Sequence, residues 1–381
     1  MIFSFLARNE TVIKLTNSNT QPLFSKIDVK QKYLRLVKVD DSTQLLSAFS
    51  FYEDNNEIKI PIDCFKKDFY NKAQKYLLKI KTKNKNDNLK IIKEGLIEVK
   101  KYQPEVEQNI IKSTEIRGVV SYNPILTKIF RLIETFIIRE IELIGFKEII
   151  IPKVTSWDTW LKTGHLISNY SEIFPVCKTT PQNIKDDCHR AFFQEKKPAL
   201  ALENIGGLTY SQCENFWALL RGNEKKLLEK DKISLFFDRS GPSYRQERKN
   251  LSGIKRLSEF RRIELIFVGS EVEVKKTIEV LTERYEKIYS KLLFSPRLSQ
   301  VASWSDLKEG YTIDFEISFE KELLEVNNLS FNGNYYPIKF INNKILYSGC
   351  SGIGIDRLVY SLVTKHGIAG STTILNELLK K

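Results

Sequence analysis

The chain of 381 residues is long enough for two or three domains, each with its own core. Hydrophobic residues make up 42% and charged residues 28%, which excludes a disordered or fibrous protein. Charges interrupt every long apolar run, so we expect no transmembrane segment and no membrane partner. The net charge of +13 favours polyanions, including nucleic acid, without requiring one.

The cysteines indicate a reducing environment. They number five, an odd count, and are widely spaced along the chain. The N-terminal residues carry no basic leader and no small-residue cleavage site, so we expect a cytoplasmic protein. Its cysteines are then predicted to be free thiols or metal ligands rather than a disulfide framework.

Residues 1–115 are predicted to form a small α+β domain. Short alternating runs at Thr11–Thr16 and Tyr33–Val39 indicate strands, and apolar residues between 65 and 80 recur at helical spacing. The stretch from Lys100 to Glu115 lacks apolar periodicity and predicts a linker. We therefore place a domain boundary at residue 115, with a second domain over residues 116–381.

The second domain is predicted to be an α+β fold built on an antiparallel sheet with helices on one face. Apolar positions from 125 to 144 recur at helical spacing up to Gly145, and a short strand, Phe146–Ile151, is stopped by Pro152. Residues Tyr311–Phe319 alternate strictly between apolar and polar. One face of this strand is therefore expected to pack against the core and the other to face solvent. Further helices are expected at 271–293 and 353–365.

The first chemically informative segment is a polar hairpin, SGPSYRQE (240–247) followed by a return strand at 256–269. The two-residue period puts Phe260, Arg262 and Glu264 on one face, while Arg245 and Glu247 share a face of the first strand. An arginine, a carboxylate and an aromatic ring are the groups that bind a phosphate, an amine edge and a base. Taken alone, this pattern also fits a solvated charged hairpin.

The second segment is a glycine-rich turn that runs into an apolar helix, YSGCSGIGIDRLVYSLV (347–363). Gly349, Gly352 and Gly354 allow a close approach of backbone and ligand, and Arg357 lies in the first turn of the helix. This arrangement suits a polyphosphate. Taken alone, it fits a tight packing turn equally well.

Together and in this order, the two segments resemble motifs 2 and 3 of the class II aminoacyl-tRNA synthetases, and the helix and strand before Pro152 resemble motif 1 at their dimer interface. Within that class the chain resembles the atypical, zinc-dependent seryl-tRNA synthetases of methanogenic archaea. The segments that carry this resemblance are KTGHL (162–166), SQCENFWALLRG (211–222), SGPSYRQE, IKRLSEFRRIE (254–264), LLEVNNLSFNGNYYPIKF (323–340) and SGCSGIGIDR (348–357).

The resemblance implies one zinc ion per subunit, held by Cys213, Glu264 and Cys350. Three protein ligands leave a fourth position open, as in a working rather than a structural zinc site, and in the family that position takes the amino group of the substrate. Without the family, two buried thiols and a salt-bridged glutamate are the simpler interpretation. Cys177, Cys188 and His189 show no recognisable ligand spacing and are interpreted as structural or incidental.

The resemblance also implies roles in binding ATP. Arg245 matches the arginine on the α-phosphate, Glu247 the carboxylate that reads the adenine amine, and Phe260 the residue that stacks on adenine. Arg357 matches the arginine on the γ-phosphate, and Arg245, Glu247 and Arg357 are the implied catalytic residues. Arg256 matches an arginine near the phosphates.

Glu325 matches the carboxylate that binds magnesium, while Trp304, Asn328 and Ser330 match residues around the serine side chain. In an unbroken strand Glu325 faces away from Asn328 and Ser330. A β-bulge is therefore expected between them.

The resemblance implies ATP-dependent activation of serine and its transfer to tRNA by a homodimer, with Mg²⁺ as cofactor. One alternative is an amino acid:carrier protein ligase or a biosynthetic paralogue, which adenylates a small amino acid and transfers it to another acceptor. A second is a regulatory or RNA-binding relative that has kept the fold without the chemistry. Intact Arg245, Glu247, Glu325 and Arg357 argue against the second.

Overall fold

The structure, a computed structural model, describes residues 89–98, 103–112, 116–162, 172–179, 202–229, 232–246, 251–302, 310–319, 322–340 and 344–380, and five short strands before residue 62. These residues form two compact units, one of residues 1–87 and 155–207 and the other of residues 88–154 and 208–381. This division differs from the predicted boundary at residue 115, since residues 88–115 belong to the larger unit and residues 155–207 to the smaller one. The helical pattern at residues 65–80 lies outside the described residues.

The described helices are α1 (Gln103–Gln108), α2 (Pro124–Glu142), α3 (Trp157–Lys162), α4 (Gln212–Leu220), α5 (Glu224–Leu227), α6 (Glu271–Lys291) and α7 (Ile355–Lys380). The described strands are β1 (Phe3–Leu6), β2 (Val12–Leu15), β3 (Tyr33–Val37), β4 (Glu53–Asp54), β5 (Glu57–Pro61), β6 (Lys90–Lys93), β7 (Ile97–Glu98), β8 (Ile110–Lys112), β9 (Val120–Tyr122), β10 (Lys147–Glu148), β11 (Val154–Ser156), β12 (Pro175–Thr179), β13 (Leu202–Leu208), β14 (Ser234–Asp238), β15 (Ser243–Tyr244), β16 (Glu259–Phe260), β17 (Arg262–Gly269), β18 (Arg297–Ala302), β19 (Tyr311–Phe319), β20 (Glu322–Phe340) and β21 (Lys344–Gly354). Among the helices described here, none is long and apolar enough to cross a membrane.

The smaller unit contains two sheets. Strands β2, β1, β3, β5 and β4 pair in that order, each antiparallel to its neighbour. Strand β13 lies between β11 and β12 in a second, three-stranded sheet. The strands predicted at Thr11–Thr16 and Tyr33–Val39 are therefore present as β2 and β3.

The larger unit is organised by a nine-stranded sheet in the order β10, β14, β17, β21, β20, β19, β18 and β6, with β7 beside β19. Its strands pair antiparallel except for the short parallel pairs β10–β14 and β7–β19. The predicted antiparallel sheet is therefore confirmed, with a mixed character at two short strands. The predicted strand Phe146–Ile151 is shorter than expected, since only β10 pairs.

Helix α2 shows how the local sequence sets an element. The Asn123 side chain accepts hydrogen bonds from the backbone of Ile125 and Leu126, both 3.1 Å, and Pro124 fits the first helical position. Gly145 follows with φ of +105°, a conformation that favours glycine. The apolar stripe of α2 packs into the main core, where α6 and α7 also lie.

Helix α4 packs against the opposite face of the sheet. Phe216 and Trp217 of α4 form a second core with Ile266 and Val268 of β17, whereas Ile263, Leu265 and Phe267 of β17 enter the main core. The prediction of helices on one face holds for α2, α6 and α7 and is incomplete for α4. The reason is that β17 is apolar on both faces near its end, so both faces require cover.

Two predicted boundaries differ from the structure. The predicted linker at 100–115 contains α1 and β8, and Val106 of α1 is fully buried in the main core. Helix α7 begins at Ile355 and extends to Lys380, with a break at Gly367, whose φ is +70°. The predicted end at 365 lies close to this break.

Candidate active site

A pocket of about 290 Å³ opens on the face of the sheet that carries the polar residues of β17, β19, β20 and β21. Six cationic side chains line it: Arg245, Lys255, Arg256, Arg261, Arg262 and Arg357. Phe260, Glu325 and Asn328 line it too, so the structure brings these predicted site residues together. A pocket with this excess of arginine suits a polyphosphate.

Arg357 is held by the backbone on both sides of the pocket. Its Nε donates to the carbonyl of Lys255 at 2.9 Å, and its Nη1 donates to the carbonyl of Glu325 at 2.6 Å. Its place in the first turn of α7 follows from the sequence GIGIDR, in which β21 runs directly into the helix. Arg357 therefore lies in the pocket in a fixed orientation.

The motif 2 hairpin forms the side of the pocket next to Arg245. Ser243 pairs with Phe260 and Tyr244 with Glu259, so β15 and β16 are antiparallel as predicted. The Arg245 guanidinium lies over the ring of Tyr210, 5.2 Å from its centroid. Phe260 is half-buried and packs against the main core, which leaves a ring surface in the pocket.

The predicted bulge is present in β20. Phe315 pairs with Asn327 and Glu316 pairs with Glu325, so Val326 is the extra residue. Glu325 and Asn328 consequently share the pocket face, with Asn328 Nδ2 and Glu325 Oε1 3.4 Å apart. The side-chain Oδ1 of Asn328 accepts a hydrogen bond from the Gly352 backbone amide at 3.1 Å, which ties β20 to β21.

Ser330 lies one step further along β20. It is buried and opposite Cys350 of β21, and its hydroxyl hydrogen-bonds with that of Thr312 at 2.8 Å. Ser330 is thus between the pocket residue Asn328 and the cysteine cluster described next.

Cys213, Glu264 and Cys350 form a buried cluster in which the two sulfur atoms and a carboxylate oxygen all lie within 4.8 Å of one another. Two ligands bound 2.3 Å from a tetrahedral zinc are about 3.8 Å apart, so the spacing fits this metal. The Ser211 hydroxyl lies 2.9 Å from Cys213 Sγ and donates to Glu264 Oε1 at 3.2 Å, and Asn332 Nδ2 lies 3.6 Å from Cys350 Sγ. The donor set fits zinc.

Acidic groups have raised pKa values both in the cysteine cluster and in the arginine-lined pocket. A hydrogen bond with Cys350, together with burial, raises the pKa of the Cys213 thiol well above its ordinary value. Burial also raises the pKa of Glu264. In the pocket, burial raises the pKa of Asp314 to about 8, and the carboxylates of Glu325 and Glu316 add to the effect. A cation bound at either part would therefore have to displace protons from these groups.

Several residues were not singled out from sequence. Asp314, Lys255 and Asp356 all line the pocket. The alternation of Tyr311–Phe319 was the available signal for Asp314, because it marks a polar face, yet this face lines the pocket rather than facing open solvent. Glu247 and Trp304 lie outside the described residues, as do Cys188 and His189, while Cys177 is exposed on β12.

The comparison with protein families agrees with this geometry. Residues 210–366 match the family model of the tRNA synthetase class II core domain (G, H, P, S and T). This region is a class II tRNA synthetase core. The predicted resemblance and fold class are confirmed, and the class II core includes the cysteine cluster and the pocket.

Two curated relatives share this core and part of the preceding chain. The type-2 serine–tRNA ligase of Methanothrix thermoacetophila is 33% identical over 299 residues, and that of Methanococcoides burtonii is 32% identical over 302 residues. Each alignment covers 70% of this chain and 58% of the relative. The chain thus spans somewhat more than half the length of these relatives.

Solved structures show the same fold at low identity. M. kandleri SerRS, in complex with A. aeolicus tRNASec, matches with a TM-score of 0.67 and 16% identity, covering 88% of this chain and 75% of that chain. A Giardia lamblia prolyl-tRNA synthetase in complex with prolyl-adenylate matches with a TM-score of 0.57 and 15% identity, covering 71% and 55%. These similarities support the class II fold.

Proposed function

We propose that this protein activates serine with ATP as seryl-adenylate and transfers the seryl group to tRNA, as a zinc-dependent serine–tRNA ligase. The main support for the proposal is a row of paired residues on three neighbouring strands. Glu264 of β17 lies opposite Gly352 of β21, and Gly352 lies opposite Asn328 of β20. This row joins the cysteine cluster to the arginine-lined pocket. A site for an amine thus adjoins a site for a polyphosphate.

Adenylation requires no acid–base residue in this pocket. The serine carboxylate is already ionised, and one of its oxygens attacks the α-phosphorus of ATP. The bond from that phosphorus to the bridging oxygen breaks, and pyrophosphate leaves with the electron pair. Arg245 on the α-phosphate, Arg357 on the γ-phosphate and Arg256 beside them hold the reactants in line and neutralise the developing charge. Phe260 stacks on the adenine, and Glu247 reads its amine.

Two metal ions belong to the proposal. Cys213, Glu264 and Cys350 would hold zinc, which supplies a Lewis-acid position for the amino group of the substrate. Glu325, with Asp314 nearby, offers the oxygen ligands that Mg²⁺ prefers. Asn328, Ser330 and Trp304 are placed in the proposal around the serine hydroxyl. A site built for a hydroxyl rejects alanine, because its own polar groups would stay unpaired.

Transfer to tRNA completes the reaction. A terminal ribose hydroxyl of tRNA attacks the carbonyl carbon of the adenylate and gives up its proton to a phosphate oxygen. The bond from the carbonyl carbon to the bridging oxygen breaks, and AMP leaves with the electron pair. The positive net charge of the chain favours the encounter with tRNA. The homodimer predicted around Pro152 and the cytoplasmic location remain parts of this proposal.

Acceptor-dependent labelling tests the function directly. The purified protein is incubated with ATP, Mg²⁺, labelled serine and total tRNA, and the acid-precipitable label is compared before and after RNase treatment. We expect RNase-sensitive label that requires ATP. An Arg357→Leu variant serves as the inactive reference, because it removes a phosphate ligand while Asp356 still anchors the helix.

The alternative acceptor gives a different result. Serine-, alanine- or glycine-dependent pyrophosphate exchange without RNA-bound label would overturn the tRNA ligase and favour a carrier-protein ligase or a related adenylating enzyme. Absence of both exchange and label would favour a relative that has kept the fold without the chemistry.

A further inference from the structure

Arg262 lies beside the cysteine cluster, next to a part of β21 where two glycines leave the surface of the sheet uncovered. Arg262 and Glu264 share a face of β17, and the residues opposite them on β21 are Gly354 and Gly352. The Arg262 guanidinium occupies this strip and pairs with Glu264 Oε2. It is largely buried, with 14% of the side chain exposed.

Gly352 makes room for this arginine. A Cβ atom at position 352 would overlap the Arg262 guanidinium, whereas at Gly354 the nearest atom would be 3.4 Å away, an ordinary contact. Gly352 is not among the glycines with positive φ, so its backbone does not require glycine. Space for Arg262 therefore accounts for the absence of a side chain at this position.

Arg262 and Ser211 together fix both oxygens of Glu264. Oε2 pairs with Arg262, and Oε1 accepts from the Ser211 hydroxyl at 3.2 Å. Because Glu264 is fully buried, bulk solvent does not reach its carboxylate. Arg262 and Ser211 are thus partners of this ligand from outside the three-residue cluster.

The charges of the cluster also require Arg262. A zinc ion with two thiolates and one carboxylate carries a net charge of −1, and a buried net charge is costly unless it is paired. Arg262 is the described cation that contacts Glu264, and its charge brings the total to zero. A neutral cluster can bind a neutral amine without further compensation.

We propose that Arg262, seated on Gly352, is a positioning residue for the zinc ligand Glu264 and neutralises the metal cluster. The inference rests on the zinc site of the proposed function. It assigns a role to a residue that is neither one of the three predicted zinc ligands nor one of the predicted phosphate ligands. Groups that orient metal ligands typically contribute 10–100-fold to metal affinity.

The test measures zinc affinity by competition with a chromophoric chelator, together with the visible spectrum of the Co²⁺-substituted protein. The variants are Arg262→Leu, Arg262→Lys and Gly352→Ala. The first removes the charge, the second keeps a charge without the planar fork, and the third displaces the guanidinium without removing it. Arg284→Leu is the matched control, because Arg284 pairs with the buried Glu140 in the helical layer, 3.0 Å away. Gly354→Ala is the control for Gly352→Ala.

We expect Arg262→Leu and Gly352→Ala to weaken zinc binding by 10–100-fold and to shift the Co²⁺ absorption, with Arg262→Lys between them and the wild type. Both controls should keep wild-type affinity. Circular dichroism establishes whether each variant is folded. If Arg262→Leu does not fold, the zinc affinities of Arg262→Lys and Gly352→Ala test the inference.

Wild-type affinity and an unchanged Co²⁺ spectrum in the folded Arg262 and Gly352 variants would overturn the inference and leave the proposed function intact. An equal loss of affinity in Arg284→Leu would also overturn it, because the effect would then be one of general stability. A wild-type protein that binds no zinc would overturn this inference together with the zinc part of the proposed function.

Discussion

The hydroxyl of Tyr122 donates a hydrogen bond to Asp356, although 234 residues separate them in the chain. Tyr122 ends β9 just before α2, and Asp356 lies in the first turn of α7 beside Arg357. The other carboxylate oxygen of Asp356 accepts from the backbone amide of Arg261. The start of α7 is thus fixed from two directions, and with it the position of Arg357.

Replacing Tyr122 by Phe removes one of these bonds. Asp356 is buried, so the loss of a partner should lower the free energy of unfolding by about 1–3 kcal/mol. The KM for ATP in pyrophosphate exchange should rise, because Arg357 is adjacent. Tyr311→Phe is the control, since Tyr311 is half-buried and is not among the residues that line the pocket. Unchanged stability and KM in Tyr122→Phe would contradict this role.

Phe260 is expected to stack on the adenine. Phe260→Ala should raise the KM for ATP by about 5–150-fold, since stacking of a base on an aromatic ring contributes about 1–3 kcal/mol. The KM for serine should change much less. Phe260→Tyr keeps a ring and should restore the ATP value, as steady-state pyrophosphate exchange would reveal. An alanine variant with equal changes in both KM values would argue for a general distortion of the pocket.

The sequence pattern predicted those parts of the site that depend on local order. Helix α2 and strand β19 follow from periodicity, and the need for a bulge follows from the spacing of Glu325 and Asn328. The position of Asp314 on the pocket wall could not be predicted, because a period of two separates two faces without saying what covers each. The seat of Arg262 on Gly352 depends on a pairing between strands about 90 residues apart, which local patterns do not encode.

Zinc binding should release protons. A hydrogen bond with Cys350 and burial raise the pKa of Cys213, so this thiol is protonated at neutral pH before a metal binds. Calorimetric titrations in two buffers of different ionisation enthalpy should therefore show proton release on zinc binding at pH 7. The apparent affinity should therefore rise with pH.

Cysteine variants separate this cluster from other thiols. Cys350→Ser should bind zinc far more weakly, because it removes one of the two thiol ligands. Cys177→Ser should match the wild type, because Cys177 is exposed and lies on β12. A proton count near zero in the wild type would mean that the thiols are already ionised.

Glu140 connects α2 and α6 through Arg284 at 3.0 Å and Lys291 at 2.5 Å. Burial acts to raise the pKa of Glu140, but the hydrogen bonds from Lys291 and Arg284 outweigh it and hold the pKa below its usual range. A carboxyl whose pKa is lowered by folding stabilises the folded state at any pH above its unfolded-state pKa, which is about 4.3. This contribution is lost as the pH falls through the folded-state pKa.

Glu140→Gln should therefore unfold more readily than the wild type at pH 7, by about 1–3 kcal/mol, with the difference narrowing below about pH 4.5. Urea denaturation at pH 7, 5 and 4 measures it. Glu229→Gln is the comparison, since Glu229 pairs with Lys147 on the surface at 2.6 Å and its loss should have little effect. A difference that stays constant with pH would indicate lost packing rather than lost charge.

Strand β17 has consequences for how accurately the sheet assembles. Its odd-numbered residues enter the main core, while its even-numbered ones supply Arg262, Glu264 and the surface beneath α4. A register shift of one residue between β17 and β21 would turn Ile263, Leu265 and Phe267 towards the pocket. It would also bury an arginine and a glutamate in the hydrophobic core, which is energetically costly. The charged side chains of the site therefore also disfavour an incorrect register of β17 in the central sheet.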